Sequence, residues 1–209
     1  SICAKGVGAF PQLYPCDNIE ADGYTVFTNK PAAGAMRGYG IPQAMWAVEC
    51  HTDDVAAKIG MDPIAFRRKN LMPVGFKDEF SKNELYSDTF NQCMDKGMAA
   101  TDYERKYKEY QNQTGDIRRG IGMSVFWYNT AVWPISLETS SCRMVLNQDG
   151  SLQVQLGETE IGQGADTAYT QMAADVVGVR LDQVHVVSCQ DTDVTPFGTG
   201  AYASRQTYT

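Results

Sequence analysis

The 209 residues carry a formal net charge of −7, with 43% hydrophobic and 21% charged residues, the proportions of a globular rather than a disordered chain. The acidic balance without a basic run excludes the usual nucleic-acid-binding surface. No apolar run approaches the roughly 20 residues that span a bilayer, and the amino end lacks the charged and apolar regions of a signal peptide. We therefore expect a cytoplasmic protein that binds neither nucleic acid nor membrane.

The cysteine and histidine content argues against a metal held by protein side chains. The six cysteines lie far apart without a C-x-x-C pair, which is typical of reduced thiols. His51 and His185 are the only histidines. We expect no disulfide framework, iron–sulfur site or histidine-ligated metal within this chain, and its two ends read as those of an internal piece of a longer protein.

The first part of the chain is predicted to be rich in helices. Residues 24–28 alternate like a strand, and a glycine-rich turn follows at 34–40. Apolar residues then recur at helical spacing over about 42–59. A short second helix is predicted from Asp62, and we interpret the basic run at 67–69 in its last turn as a solvated face.

Polar surface helices are predicted over 88–113, and strands follow them. Residues 118–128 and 140–157 are strand-like, and the second stretch contains Asp149 and Gly150 between two alternating runs, a strong hairpin signal.

A helix with Met172 and Val176 directed inward is predicted to end at Gly178, and a strand is expected over 182–189. The pattern indicates an α+β fold with mixed sheets and packed helices. We place its helix-rich part at residues 1–115 and its strand-and-helix part at residues 116–209.

Three loops, at 34–43, 157–167 and 197–207, combine glycines with a neighbouring helix start or strand end. Glycine lets backbone approach a ligand closely, and the N–H groups that begin a helix favour an anion such as phosphate. None of the loops has the G-x-x-x-x-G-K-[ST] or G-x-G-x-x-G pattern of common nucleotide sites. Each loop alone also reads as a tight turn.

Each of these loops contains a glutamine, namely Gln43, Gln163 or Gln206. An amide donates and accepts hydrogen bonds at once, so it suits the edge of a bound heterocycle, but it can equally tie a loop to itself. The spacing favours the loop-tying role.

Taken together, the three loops resemble successive cofactor loops of the molybdenum-binding subunit of the xanthine dehydrogenase and aldehyde oxidase family. The segments are "AMRGYGIPQA" (35–44), "TEIGQGADT" (159–167) and "DTDVTPFGTGAYASRQT" (191–207), and residues 118–164 resemble bacterial xanthine dehydrogenase subunits in particular. The resemblance implies part of a molybdopterin-binding domain in an enzyme that hydroxylates a purine with water. It also implies electron transfer to [2Fe–2S] clusters and FAD on partner subunits of a hetero-oligomer.

The resemblance also assigns roles to single residues. The positions matching cofactor contacts are Arg37, Gly38, Gly162, Gln163, Ala203, Ser204 and Gln206. Arg37 and Ala203 are expected beside the molybdenum without ligating it through their side chains. Tyr39 and Trp133 match positions that face substrate, and the family's general-base glutamate is expected outside this chain, so that the piece alone should neither hold cofactor firmly nor turn over substrate. Glu158 and Glu160 are not assigned that role.

Several alternatives stay open at this point. The substrate could be another N-heterocycle such as nicotinate, an aldehyde or a hydroxybenzoyl thioester. Carbon monoxide dehydrogenase is disfavoured because that relative carries cysteine where Gly38 stands. Separate-subunit relatives usually carry the cytosine dinucleotide form of the cofactor, which we expect here. A non-catalytic assembly module and an ordinary nucleotide-binding domain are rivals from other classes.

Overall fold

Two compact units, Ser1–Tyr128 and Asn129–Thr209, make up the chain. The computed structural model describes residues 2–79, 82, 84–87, 89–128, 139–187, 191, 193, 195–198, 200–202 and 204. Within these residues, no helix has the length and apolar character needed to cross a membrane. The functional division that we place at residue 115 stays a prediction.

The described part of the first unit is helical. Its helices are α1 (Ile2–Ala9), α2 (Ile41–Lys58), α3 (Pro63–Asn70), α4 (Phe90–Thr101) and α5 (Tyr103–Glu109), with a short 3₁₀ turn at Tyr110–Asn112. The helices predicted over about 42–59, from Asp62 onward and within 88–113 are thereby confirmed.

Helix α3 begins where the sequence encodes a capping residue. The Asp62 carboxylate accepts hydrogen bonds from the backbone N–H groups of Ile64 (3.0 Å) and Ala65 (2.9 Å). Pro63 occupies the first helical position, where its missing N–H costs no hydrogen bond. The start of α3 is therefore fixed locally, before any tertiary contact forms.

The basic run at the end of α3 is not a solvated face throughout, so that prediction is wrong for Arg67. Its side chain is fully buried and donates to the Glu49 carboxylate (2.9 Å) and to Asp53 (2.6 Å). Glu49 also accepts from the Tyr14 hydroxyl (2.5 Å) and the Val125 backbone N–H (2.7 Å). A buried charge requires such partners, and the partners come from segments distant in sequence.

Two predicted strands of the first unit are absent from the described structure. Residues 24–28 form no β-pair, and Tyr24 and Phe27 are exposed. Residues 118–128 are likewise not a strand, because the Val125 N–H binds the Glu49 carboxylate instead of a neighbouring strand. Alternation predicts a strand only when a second strand supplies the ladder of hydrogen bonds.

The second unit is a three-stranded mixed sheet with one packed helix. Its elements are β1 (Cys142–Leu146), β2 (Leu152–Leu156), α6 (Ala165–Val177), a 3₁₀ turn (Leu181–Gln183) and β3 (Val184–Val186). The order is β1-β2-β3, with β1 antiparallel and β3 parallel to β2. The α+β class is confirmed.

The predicted hairpin is present between β1 and β2. Asn147 and Ser151 close it by a backbone hydrogen bond of 2.8 Å, and Gly150 has φ 84°, a value that favours glycine. The Asp149 carboxylate accepts from the Ser151 N–H (2.9 Å) and hydroxyl (2.7 Å). The turn therefore fixes the register of the sheet.

Helix α6 packs on the sheet with a face different from the predicted one. Met172 and Val176 are exposed, whereas Ala173 and Ala174 are buried against Val154 and other sheet residues. Alanines allow close approach of helix and sheet, and this packing outweighs the larger apolar area of the alternative stripe.

Candidate functional site

The first glycine loop makes a tight turn into α2. Gly38 (φ 102°), Tyr39 (φ 46°) and Gly40 (φ 94°) all have left-handed backbone conformations, which are rare for a residue such as tyrosine. A Cβ on Gly38 would collide with the ring of Pro42. Glycine at position 38 is therefore required both by the backbone conformation and by the close approach of Pro42.

The side chains of this loop that were assigned to cofactor and substrate face outward. Arg37 and Tyr39 are exposed, and Gly38 is half-buried. Gln43, in the first turn of α2, is also exposed. The glycine-rich turn predicted within 34–40 is present at 37–40, and the roles of Arg37 and Tyr39 stay predictions.

The second loop is held together by the amide of Gln163. Its oxygen accepts from the Ile161 N–H (2.6 Å), and its nitrogen donates to the Thr159 carbonyl (3.0 Å). The loop-tying role favoured by the spacing is therefore present. An amide has a second N–H and a second lone pair, so loop tying and ligand contact are compatible.

Glu160 occupies the amino end of α6. One carboxylate oxygen accepts from the N–H groups of Gly162 (2.5 Å) and Gly164 (3.1 Å), and the other accepts from the N–H of Asp166 (3.3 Å). At this helix start, the chain's own carboxylate therefore takes the Gly164 and Asp166 N–H groups that the sequence predicts for binding a phosphate.

The hydrogen bonds also affect the charge of Glu160. Desolvation raises its pKa, but the backbone N–H groups of Gly164, Asp166 and Gly162 together outweigh that effect and hold the pKa below its usual value. Sequence reasoning left Glu160 without a role. The available signal was an acid placed a few residues before a predicted helix start, within reach of its first N–H groups.

The second and third loops meet within the second unit. A Cβ on Gly157 would collide with the Phe197 carbonyl, and a Cβ on Gly198 would collide with the Gly157 carbonyl. Gly198 also forms a β-bridge with Ser140, next to Ser141, whose carbonyl accepts from the Gly157 N–H (3.0 Å). Two of the three predicted cofactor loops are therefore brought together by backbone contact that only glycine allows.

Two hydrogen bonds join Asp191 and Thr195, just before the third loop. Asp191 donates its N–H to the Thr195 hydroxyl (2.9 Å), and its carbonyl accepts from the Thr195 N–H (2.7 Å). Ser204 is exposed with φ 52°. Ala203, Gln206 and Trp133 lie outside the described residues.

A pocket of about 210 Å³ lies between the sheet and α6 in the second unit. Its wall is mainly apolar and includes Met172 and Val176, with the buried carboxylate of Glu158 at one side. None of the residues predicted to bind cofactor or substrate lines it in the described structure. The pocket therefore borders the second glycine loop at Glu158 but is not lined by the residues predicted to bind cofactor.

The geometry of the loops fits a flat, hydrogen-bonding cofactor. The crossing at Gly157 and Gly198 has no side chains where the two loops approach, and Gln163, in the second of the three loops, is half-buried. Among the described residues, no three His, Cys, Asp or Glu side chains are grouped so as to hold a metal ion. The donors that these loops provide are backbone and amide groups, which suit a pterin edge.

Known proteins resemble this chain along its whole length. It is 45% identical over 208 residues to a xanthine dehydrogenase molybdenum-binding subunit of Escherichia coli O157:H7, covering 100% of this chain and 28% of that protein. It is 32% identical over 199 residues to an aldehyde oxidoreductase of Megalodesulfovibrio gigas, covering 92% of this chain and 21% of that protein. The crystal structure of an aldehyde oxidoreductase of Desulfovibrio desulfuricans matches 97% of this chain and 22% of its own, with a TM-score of 0.73 and 26% identity.

Two family models, both described as molybdopterin cofactor-binding domains, match residues 1–71 and 96–209. The second match alone covers more than half of the chain. The resemblance to molybdenum-binding subunits predicted from the three loops is confirmed, while the chain spans less than a third of the relatives' length. The chain belongs to the molybdopterin cofactor-binding domain family.

Proposed function

We propose that this chain is part of the molybdenum-binding subunit of a hydroxylase that oxidises a purine, hypoxanthine or xanthine, with oxygen from water. The support is 45% identity to a xanthine dehydrogenase subunit along the whole chain. The match to an aldehyde oxidoreductase is 32%. The purine is therefore the first substrate to test, with aldehydes and other N-heterocycles such as nicotinate as alternatives.

The observation that carries the proposal is the contact between the second and third loops. Gly157 and Gly198 place the two loops side by side, and a Cβ at either position would push them apart. Adjacent glycine loops expose backbone groups to a common ligand. If each loop served only to turn the chain, the two loops would not need to lie so close together.

The residues that hold the cofactor are proposed from their positions in these loops. Gly162 and Gln163 are proposed to bind the pterin, with the second amide N–H of Gln163 as a donor. Arg37 and Gly38 lie in the restricted turn before α2 and are proposed to contact the cofactor beside the molybdenum. Ala203, Ser204 and Gln206 are proposed for the third loop, with a small residue needed at 203 to leave room for the metal centre.

The division of labour is that the cofactor carries the difficult chemistry and the protein orients it. When bound, the molybdenum cofactor supplies oxygen from water to the substrate carbon and accepts two electrons. The chain's own contribution is orientation of the pterin and, through Tyr39 and Trp133, contact with the flat substrate. We place the general-base glutamate in the part of the subunit outside this chain.

The proposal includes partners and a location. Electrons leave to a subunit with two [2Fe–2S] clusters and then to an FAD-binding subunit, so the active form is a cytoplasmic hetero-oligomer. The cofactor is proposed to be the cytosine dinucleotide form. Genes for an iron–sulfur protein and an FAD protein next to the gene for this chain would support this arrangement.

The test uses the full-length subunit with its partners. Gln163→Ala and Arg37→Ala are made one at a time, and molybdenum content and purine oxidation are measured for each. Gln171→Ala, on the exposed side of α6, and Arg118→Ala, also exposed, are the matched controls. We expect reduced molybdenum or rate in the first pair and wild-type values in the controls.

Unchanged molybdenum content and rate in both loop variants would refute the proposed site. That result would favour a non-catalytic assembly role, in which the glycine loops only turn the chain. A full rate with an aldehyde and none with a purine would refute the substrate but keep the hydroxylase.

A further inference from the structure

The amino end of α6 carries a built-in anion. Glu160 receives three backbone N–H groups, those of Gly162, Gly164 and Asp166, at 2.5 to 3.3 Å. Gly164, the residue that precedes the helix, provides no side-chain cap. The carboxylate therefore takes the place that an N-cap side chain or an external anion takes in other helices.

The charges at this helix end disfavour a second anion. Asp166 lies in the first turn of α6, so two carboxylates already lie near the positive end of the 13-residue helix. The hydrogen bonds that hold the pKa of Glu160 below its usual value keep it charged near neutral pH. An arriving phosphate would have to displace one carboxylate and approach the other.

Gln163 lies inside the turn that Glu160 fixes. Glu160 binds the N–H groups on both sides of it, at Gly162 and Gly164, while the Gln163 amide bridges Ile161 and Thr159. Two interlocking sets of hydrogen bonds thus hold one short loop. Removing the Glu160 carboxylate removes these two hydrogen bonds on either side of Gln163.

We propose that Glu160 is a positioning residue: it fills the amino end of α6 and fixes the turn that presents the Gln163 amide, so that this loop contacts an uncharged edge of the pterin rather than a phosphate. This rests on the proposed function of the loop. Glu160 itself touches no substrate or cofactor and acts through Gln163.

The experiment compares Glu160→Ala and Glu160→Gln in the full-length subunit. Hydrogen exchange of the peptide covering residues 157–168 is followed by mass spectrometry, and molybdenum content is measured on the same samples. Asp175→Asn removes the same charge from an exposed position of the same helix and is the matched control.

In Glu160→Ala, exchange of this peptide should rise about tenfold or more, since charge-assisted hydrogen bonds to three N–H groups are lost. Glu160→Gln should lie between wild type and Glu160→Ala, because a neutral amide oxygen still accepts. Molybdenum content should fall in the same order. The control should match wild type in both measurements.

Small anions test whether the amino end of α6 is filled by the Glu160 carboxylate. Acetate added to Glu160→Ala should restore part of the lost protection by occupying the vacated N–H groups. Inorganic phosphate should leave the exchange of this peptide in the wild type unchanged. Slower exchange of the wild-type peptide in phosphate would show that the helix end accepts phosphate and would overturn the proposal.

The outcomes separate the two proposals. If the 157–168 peptide of Glu160→Ala exchanges at the wild-type rate, the positioning role is refuted but the proposed function stands. The same holds if a Glu160 variant with faster exchange in this peptide keeps its full molybdenum content. Full molybdenum content in Gln163→Ala instead refutes the proposed function of the loop, whatever Glu160 does.

Discussion

The buried side chain of Arg67 offers a strong test of how the first unit is held together. Arg67 is fully buried and donates to Glu49, which is 4% exposed, and to Asp53, whose side chain is half exposed. Replacing Arg67 by methionine keeps much of the volume but leaves the Glu49 carboxylate buried with only the Tyr14 and Val125 donors. We expect a loss of about 3–5 kcal/mol in the free energy of unfolding, the cost of stranding a buried charge.

The source of that cost can be isolated with two further variants. Asp53→Asn should cost less than about 1 kcal/mol, because that carboxylate is half exposed and its pair is screened by solvent. Combining Arg67→Met with Glu49→Gln should recover a large part of the loss. In the Glu49→Gln side chain the amide oxygen can accept from the Val125 N–H while the amide NH2 group donates to the Tyr14 hydroxyl, and no uncompensated charge remains.

Urea unfolding followed by tryptophan fluorescence measures these differences. Trp46 and Trp127 both lie in the first unit, and a Trp133→Phe background removes the one tryptophan of the second. If Arg67→Met costs no more than Asp53→Asn, or if adding Glu49→Gln makes it worse, the buried-charge explanation is refuted.

Three further predictions follow from other sites. Gly157→Ala should lower the free energy of unfolding by about 1–3 kcal/mol, because the added Cβ collides with the Phe197 carbonyl, and it should lower the molybdenum content. Gly122→Ala, where an added Cβ meets open space, should change neither quantity. Burial and the hydrogen bond to Glu49 raise the pKa of Tyr14. The folded state therefore favours the neutral hydroxyl, and the stability that this adds is present below about pH 10 and is lost as the pH rises further. Above that pH, the free energy of unfolding should fall less steeply in Tyr14→Phe than in the wild type, as measured by denaturation. Asp62→Ala should cost about 1 kcal/mol by removing the α3 cap, measured by thermal unfolding.

Local sequence signals predicted the elements whose stabilising contacts are themselves local. The hairpin at Asp149 and Gly150 and the start of α3 at Asp62 depend on contacts within a few residues. The strand predicted at 24–28 failed because its ladder needs a second strand, which the described residues do not supply. Residues 118–128 failed for a related reason, since Glu49 took a backbone donor that a strand would have used.

Packing choices on helices were harder to predict. The helical spacing of apolar residues in α6 predicted that Met172 and Val176 face inward. The structure buries the alanine stripe because it lets the helix approach the sheet. Arg67 was misjudged similarly, since a charged residue in a last helical turn is usually solvated and its buried acceptor lies 18 residues away.

The sequence predicted the three loops of the candidate site, but it did not show how their glycines act. Positive φ at Gly38 and Gly40 follows from the turn that the sequence indicates. The collision that keeps Gly157 and Gly198 as glycines depends on two segments about 40 residues apart, and no local pattern reveals it. The role of Glu160 was not predicted, because an acid in a glycine-rich loop can have many roles. Only its hydrogen bonds to the backbone N–H groups identify the role that it has here.

The two helix starts next to the glycine loops share a property that bears on how a cofactor can bind. At α2, where Gly40 is the N-cap, the Ile41 N–H bonds to the Gly38 carbonyl and Pro42 has no N–H, so two of the four positions offer no N–H to a ligand. At α6, where Gly164 is the N-cap, Glu160 binds the N–H groups of Gly164 and Asp166. The N–H groups left for helix-dipole binding of phosphate are thus fewer at both ends, although each follows a glycine-rich loop of the kind that binds phosphate elsewhere. Gly157 and Gly198 act instead by letting two backbone segments approach closely.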